Sequence, residues 1–486
     1  MNERYDAIVI GGDIGGLVAS IYLAKAGRKV LLLEAQDTLG GSCRAGTRLA
    51  GVHASVGVQF LQALDPRVVK ELDLNGRGLK FALRDMPIVN LRQGGAHLVL
   101  SGDAHAAART IAARSPADAK AYKQYRSDMW ALARAMRPWW WENAVSLPRL
   151  NDASDRRLLA QLEATSAAAL LNGIFETDAL KATLAFDIHS HFEPGSALEL
   201  LWRASQEMCG LQGAIAVPKG GPAALTELLA VMAQEAGVEA RIHTRVVRIL
   251  LADGIAAGVE LETGETIFAH AVLSSLSRHA TLLDLLPTAA AGFDETFVLD
   301  RSRPQSREAT VLLLLNAPPN IGGRDVPANA RFVIADRLET FAAGEAAIRD
   351  GRLPDELLLV AVVPTSADPS LAPPGQYILS VRVRGLPLAS PLNLSAKLAQ
   401  RVVEALEPHC VRLRERIVGV DVRPATEIGT FSNSSLLSSY GARINTSVKG
   451  LFLCGAAAEP VDAISGRAGR IAANIVDGWL ARGKCA

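Results

Sequence analysis

The stretch YDAIVIGGDIGGLVAS, residues 5–20, leaves the chain few options for how it folds locally. Residues 6–10 form a short apolar run of the buried-strand type, and Gly11–Gly12 mark a turn. A helical pattern follows from about Gly16 to Ala26, with Val18, Ile21 and Tyr22 on one face and Gly27 as the stop. Lys29–Glu34, KVLLLE, reads as a second strand. Strand, glycine turn, helix and strand within about thirty residues make one βαβ start. Such a turn points helix N-terminal N–H groups at an anion, and an acid ~20 residues further on is placed to bind ribose hydroxyls. Glu34 stands at that position.

The spacing G-x-G-x-x-G falls on Gly11, Asp13 and Gly16, so an aspartate occupies the point of closest approach to a diphosphate. Two arrangements stay open. Beside a phosphate, at about 4 Å and an effective dielectric of ~20, the carboxylate costs on the order of 4 kcal/mol per charge pair. Alternatively it caps the helix and takes the anion site for itself, because orphan N–H groups and the positive dipole end favour an aspartate there.

At 486 residues the chain is too long for one compact core, which predicts two or three domains. Its net charge of +1 gives no general attraction to nucleic acid. Five cysteines without a C-x-x-C pair argue against a disulfide framework or a zinc site and predict a reducing cytosol. No uncharged apolar run reaches the ~18–20 residues of a spanning helix. A cytoplasmic protein is therefore expected, with peripheral membrane contact left open.

Further along, the character alternates. Residues 79–209 are largely helical in pattern. Ser115 is the expected cap of a helix with Pro116 at its first position, Pro138 is its expected end, and Ala153–Phe175 reads as one more helix. Pro222–Ala236 reads as a helix. Glu239–Ile242, Val246–Leu251, Ala256–Leu261, Thr266–Ala269 and Ala271–Ser274 read as short strands. Further strand-like runs cover Thr310–Leu315, Leu357–Val363 and Tyr377–Val383, and KGLFLCGAAAEPVDAISGRAGRIAANIVDGWL gives a strand, a glycine turn and a closing helix.

Four stretches carry a family resemblance: the N-terminal turn through Gly40–Gly41, GVQFLQALDPRVVKELDLNGRGLKF, GAIAVPKGGPAALTELLA and GLFLCGAAAEPVDAISGRAGR. DPSLAPPGQYILSV adds less. In this order they resemble the phytoene-desaturase-type FAD-dependent oxidoreductases, a branch of the two-dinucleotide-binding-domain flavoproteins. The resemblance implies an α/β fold in which a Rossmann-type FAD-binding domain is interleaved with an α+β substrate domain. Segments 1–78, 213–288 and 425–486 would form the first, and 79–212 and 289–424 the second, with an α-rich insert. It also implies FAD contacts at Gly11, Gly12, Gly16, Glu34, Gly41 and the neighbouring Ser42, with Asp13 inside the same path. Val246 would meet adenine through its backbone, Gly455 and Ala456 would lie near the ribityl and diphosphate, and Ser465 and Gly466 near the flavin end. Asp13, Ala457 and the run Val461–Asp462–Ala463 depart from the family pattern, each adding bulk or charge beside the cofactor.

The implied activity is hydride transfer from a hydrophobic substrate to flavin. The alternative is a flavin-free binding or carrier protein, a role that Rab GDP-dissociation inhibitors fill on a similar scaffold. Candidate catalytic residues are Asp462, as a base near the flavin, and His189 and His191, which share a face if extended and with Glu193 mimic a metal triad. No metal is expected, since no further histidine or cysteine lies near them. Cys43 lacks the partner five residues on that a disulfide reductase needs, that position being Arg48. Trp139–Trp141, after Arg134 and Arg137, suit either packing against the helical region or a partner, or contact with an anionic membrane surface; packing is favoured because three consecutive indoles cannot share one helix face.

Overall fold

The computed structural model describes residues 4–94, 97–142, 147–287, 290–292, 296, 299, 306–388, 394–423, 427–428, 443–459, 461 and 464–483. The strand Tyr5–Ile10 lies at the centre of a seven-stranded sheet, parallel to Val30–Leu33 on one side and to Thr266–Ser274 on the other. Glu239–Arg241 extends the parallel array beyond Val30–Leu33, and Leu451–Leu453 extends it beyond Thr266–Ser274. Alternation with period two divides the central strand between two cores: Ala7 and Val9 face the helices, while Ile8 and Ile10 face the other side.

Thr266–Ser274 is one strand where the sequence reading has two, Thr266–Ala269 and Ala271–Ser274. Its first half pairs antiparallel with Ile255–Leu261, and its second half pairs parallel with Tyr5–Ile10. A change of partner, not a break in the chain, lies behind the change of pattern.

The helix Ile14–Lys25 packs between the sheet, the helix Pro222–Glu235 and the closing helix Arg467–Gly483. Its approach to the closing helix is very close. A Cβ on Gly469 would lie 2.2 Å from the Gly15 carbonyl oxygen, so only glycine fits.

A second, eight-stranded sheet runs in the order Ile417–Arg423, Ser306–Leu315, Tyr377–Pro387, Leu358–Val362, Arg331–Ile334, Ile88–Asn90, Leu98–Leu100, with Glu427–Ile428 beside Ser306–Leu315. Leu379, Val381 and Val383 turn one face toward the helix Leu394–Leu406. The opposite face carries Ser380, Arg382 and Arg384, and beside them Val360, Val362 and Val333 meet the helical insert.

The insert comprises Pro116–Trp141, Ala153–Ala164, Ala167–Ile174, Asp178–Ala185 and Ala197–Ser205. Two helix expectations are corrected. Pro138 does not end its helix, which runs on to Trp141, because Trp139 and Trp140 bury in the core and outweigh the one hydrogen bond proline forfeits. Ala153–Phe175 is two helices, since Ser166 caps the second by accepting the Ala169 N–H at 3.1 Å.

The tryptophan run therefore packs inward. Trp140 is fully buried, edge-on to Trp202 with ring centroids 5.6 Å apart. The arginines before it are engaged within the chain, Arg134 on Gln212 at 3.2 Å and Arg137 on Glu207 at 3.2 Å. Among the described residues no helix is long and apolar enough to cross a membrane.

Candidate functional site

The carboxyl edge of the parallel sheet gathers the glycine turns. Gly11 leaves the central strand at φ +91°, a conformation that favours glycine, and its N–H donates to the Leu33 carbonyl at 2.8 Å. The Ser275 hydroxyl donates to the Gly11 carbonyl at 3.0 Å. A Cβ on Gly16 would meet that same carbonyl oxygen at 2.1 Å, which explains why the third position of the motif is still glycine.

The middle position is Asp13, and the structure makes it the cap of the helix. Its Oδ1 accepts the Gly16 N–H at 2.8 Å. Burial pushes the Asp13 carboxyl up to about 6 and the Glu34 charge adds to this, against the pull of the Gly16 N–H and the Ser275 hydroxyl. Glu34, buried at the end of the second strand, accepts the Gly12 N–H on Oε2 at 2.8 Å and the Gln36 N–H on Oε1 at 2.8 Å.

The second glycine pair is tied to the first, the Gly40 N–H donating to the Gly12 carbonyl at 2.7 Å. A Cβ on Gly41 would lie 2.8 Å from that of Asp13. The Ser42 carbonyl accepts the N–H groups of Gly57 and Val58, at 3.0 and 3.1 Å. Val246 begins its strand two residues after Thr244, whose N–H donates to the Glu34 carbonyl at 2.7 Å. Gly455 follows the last parallel strand, and a Cβ there would strike the Ser275 carbonyl oxygen at 2.2 Å. Ala456 and Ala457 lie in the short turn Ala456–Ala458. Ser465 and Gly466 lead into the closing helix, and Gly466, at φ +72°, packs near Val18 and Ile14 of the first helix.

Gly11, Gly12, Asp13, Gly16, Glu34, Gly41, Ser42 and Gly455 are thus brought together at the carboxyl ends of the parallel strands, where open α/β sheets bind ligands. These residues fit a dinucleotide cofactor. The helix start supplies N–H donors and the buried Glu34 supplies an acceptor for ribose hydroxyls. With its carboxyl pushed up to about 6, Asp13 would lie beside a diphosphate at less cost than an ordinary aspartate.

The catalytic candidates fare differently. Asp462 and Ala463 lie outside the described residues, while Val461 is buried with the core of the insert. His189 and His191 lie in a turn region, not on a strand, so they share no face. The His189 Nδ1 is 3.0 Å from Glu199 Oε2, and the His191 Nδ1 is 3.0 Å from Glu345 Oε1. Burial lowers the His191 pKa despite the hydrogen bond that Glu345 accepts, and the ring lies against Phe341 with centroids 4.3 Å apart. Glu193 is exposed, and no group of metal-ligating side chains occurs among the described residues. Cys43 is a buried free thiol that burial, and then the Asp13 charge, pushes up.

Sequence reasoning missed two clusters. Asp65, Arg467 and Glu459 are buried together, with Arg470 Nη2 on Asp65 at 2.9 Å. On the second sheet, Arg331, Arg382 and Arg384 gather with Arg203 around Asp187 and Glu308. The signal for the latter was present in SVRVRG, where Arg382 and Arg384 alternate with valines and so share one face of a buried strand.

Known proteins agree with this geometry. A mouse protein called pyridine nucleotide-disulfide oxidoreductase domain-containing protein 2 is 28% identical over 98% of this chain and 94% of its own length. Hydroxyneurosporene desaturase of Cereibacter sphaeroides is 29% identical over 63% of this chain and 62% of its own. The solved structure of cyclohexylamine oxidase from Brevibacterium oxydans superposes with a TM-score of 0.62 over 100% of both chains at 14% identity, a likeness of fold. The family described as flavin containing amine oxidoreductase matches residues 14–287, over half of the 486 residues. With the glycine turns, the buried acid and the two-sheet architecture in place, that match makes the chain a member of the flavin containing amine oxidoreductases.

Proposed function

We propose that the chain is an FAD-dependent oxidoreductase that removes hydride from a C–H bond of a largely hydrophobic small molecule. The observation that carries this reading is the joining of Gly12, Glu34 and Gly40 in one hydrogen-bonded group at the carboxyl edge of the parallel sheet. When bound, the isoalloxazine supplies the hydride-accepting chemistry and passes the electrons to oxygen, a quinone or another acceptor.

The chain's own residues bind, orient and exclude water. Glu34 would hold the ribose of the adenosine end, next to the backbone at Val246. Gly11, Gly12, Gly16, Gly41 and Ser42 would allow the backbone to approach the diphosphate, with Asp13 beside it. Gly455 and Ala456 would line the ribityl side, and Ser465 and Gly466 the flavin end. Segments 1–78, 213–288 and 425–486 form the cofactor-binding unit, while 79–212 and 289–424 close over the substrate. Apolar walls come from the insert core, including Phe186 and Phe341. His191, its pKa lowered by burial and its Nδ1 held by Glu345 at 3.0 Å, packs against Phe341 of that core.

Purified protein, reconstituted with FAD and desalted, tests the reading. Retained absorbance near ~450 nm, bleached anaerobically by dithionite, is the expected result. Colourless protein after incubation with excess FAD overturns it in favour of the flavin-free binding protein.

A further inference from the structure

The face of the second sheet that looks toward the insert carries an excess of arginines over carboxylates. Arg382 and Arg384 alternate on one strand, and Arg331 projects on the same face from the next strand but one, with Leu358–Val362 between them. Arg203 joins them from the helix Ala197–Ser205. Facing these four guanidinium groups are two carboxylates. Asp187 takes Arg331 at 2.7 Å and lies 4.0 Å from Arg203, and Glu308 takes Arg384 at 3.1 Å and lies 3.5 Å from Arg382. His189, beside them, pairs with the buried Glu199, which adds a third carboxylate and still leaves the four guanidinium groups in excess.

Buried donors are left over. Arg203 Nη1 and Arg331 Nε are buried and have no hydrogen-bond partner among the described residues, while Arg382 Nε faces Glu308 Oε2 at 3.5 Å without forming a hydrogen bond. An unpaired buried guanidinium N–H costs free energy that an incoming acceptor recovers. Burial alone would raise both carboxyls, yet the arginines hold Asp187 and Glu308 below the usual carboxylate range, which shows the sign of the local field.

Part of the cluster reaches solvent and aromatic rings lie against it, while the small cavity nearby is lined by Ser380 and by none of the arginines. Arg382 is 25% exposed and Glu308 17%, and both belong to the inward face of the sheet. Ser380, two residues before Arg382 on the same face, lines a small cavity with Ser55, Val58, Gln59 and Val217. Phe60 lies under Arg331 and Arg382, and Phe186 under Arg331 and Arg384, with guanidinium-to-ring distances between 5.2 and 6.0 Å.

We propose that Arg382, with Arg331 and Arg384 behind it, forms an anion-binding subsite, so that the substrate is an apolar molecule bearing a carboxylate or similar anionic head. This rests on the oxidoreductase reading for the chemistry but not for the binding. A guanidinium fork matches a carboxylate in shape as well as charge, and the aromatic floor keeps the arginines in place.

The test is calorimetric titration of the purified holoprotein at low salt with decanoate, decan-1-ol and decylammonium. Decanoate is expected to bind about tenfold tighter than the alcohol, with the ammonium weakest. Arg382→Gln should lose about tenfold for decanoate and leave the alcohol unchanged, and Arg382→Lys should recover part of the loss. Glu308→Gln should move the other way and tighten decanoate, a gain that a purely structural ion cluster does not give. Equal binding of decanoate and alcohol, an unchanged decanoate affinity in Arg382→Gln, or no gain in Glu308→Gln overturns the proposal. Flavin absorbance recorded on the same samples separates the two readings. Colourless protein that prefers decanoate removes only the oxidoreductase, and yellow protein without the preference removes only the anion subsite.

Discussion

Asp13 Oδ1 accepts the N–H of Gly16 at 2.8 Å, so the side chain that breaks the glycine motif is also the cap of the helix the motif begins. The cap and a diphosphate draw on the same N–H groups and the same dipole end. With its carboxyl at about 6, Asp13 is mostly ionised at neutral pH and mostly protonated a unit or more below its midpoint. FAD affinity should therefore rise as pH falls through about 6, because the neutral acid no longer repels phosphate. Asp13→Gly should bind FAD more tightly above that pH and with a flatter profile. Fluorescence titration of FAD into apoprotein across this range checks both. Parallel profiles for the two proteins would remove Asp13 from the diphosphate path.

The same shift has a consequence without cofactor. An aspartate that titrates near 6 in the folded state and near ~3.9 unfolded binds protons more readily when folded. Its ionised form therefore costs stability, and the cost enters as pH rises across that window and is complete above it. Asp13→Asn keeps a capping oxygen and removes the charge. The melting temperature of the wild-type apoprotein should fall relative to Asp13→Asn as pH rises from about 4 to about 6.5, with the gap constant above that.

Gly469 and Gly478 lie on one helix and predict opposite outcomes. A Cβ at Gly469 would enter the Gly15 carbonyl at 2.2 Å, and a backbone atom cannot swing aside. Gly469→Ala should destabilise by about 1–3 kcal/mol or more and weaken FAD retention, since the first helix carries the diphosphate turn. A Cβ at Gly478 would meet nothing within 4 Å. Gly478→Ala should stabilise by up to about 1 kcal/mol, the helix preference of alanine over glycine. Urea unfolding of both variants measures the difference.

Local signals made the first sheet readable. Apolar strands, glycine stops and the acid at Glu34 are each fixed within a few residues, and the structure places them together. Harder to read was whatever depends on a distant partner. Thr266–Ser274 looks interrupted because its neighbour changes halfway along. Pro138 looks like a stop because the burial that overrides it comes from Trp202, sixty residues away in a different helix. His189 and His191 look like a pair because their carboxylates, Glu199 and Glu345, are absent from the local sequence. The arginine face needs three strands and a helix to assemble, and only Arg382 and Arg384 are neighbours in sequence.

Asp65 joins two helices. Its Oδ1 caps the helix Pro66–Glu71 through the Arg67 N–H at 2.9 Å, and its Oδ2 accepts Arg470 Nε at 2.9 Å with Arg467 at 3.8 Å. Both arginines sit at the start of the closing helix, just past Ser465 and Gly466. Removing the charge takes the carboxylate from buried Arg470 and leaves Arg467 to Glu459, 3.9 Å away. Asp65→Asn should cost about 3–5 kcal/mol, the penalty of a broken buried pair, although the cap oxygen remains. Chemical denaturation gives the value, and an effect under about 1 kcal/mol would mean that the arginines find other acceptors.

Trp140 decides between packing and surface contact. Its ring is fully buried against Trp202, and the carbonyls of Trp140 and Trp141 accept from Arg467 and Arg470, at 3.5 and 3.1 Å. The end of the insert's long helix is thereby fastened to the start of the closing helix. Trp140→Ala empties a site with no solvent access, and large aromatic truncations of that kind cost about 3–5 kcal/mol. The lost packing lies between the insert and the cofactor-binding segments, so FAD should also dissociate faster from this variant. Trp140→Phe keeps most of the volume and should recover most of both losses. Sedimentation with anionic vesicles should give the same bound fraction for wild type and Trp140→Phe. A drop in the bound fraction for the phenylalanine variant, at unchanged stability, would instead place this ring at a membrane surface.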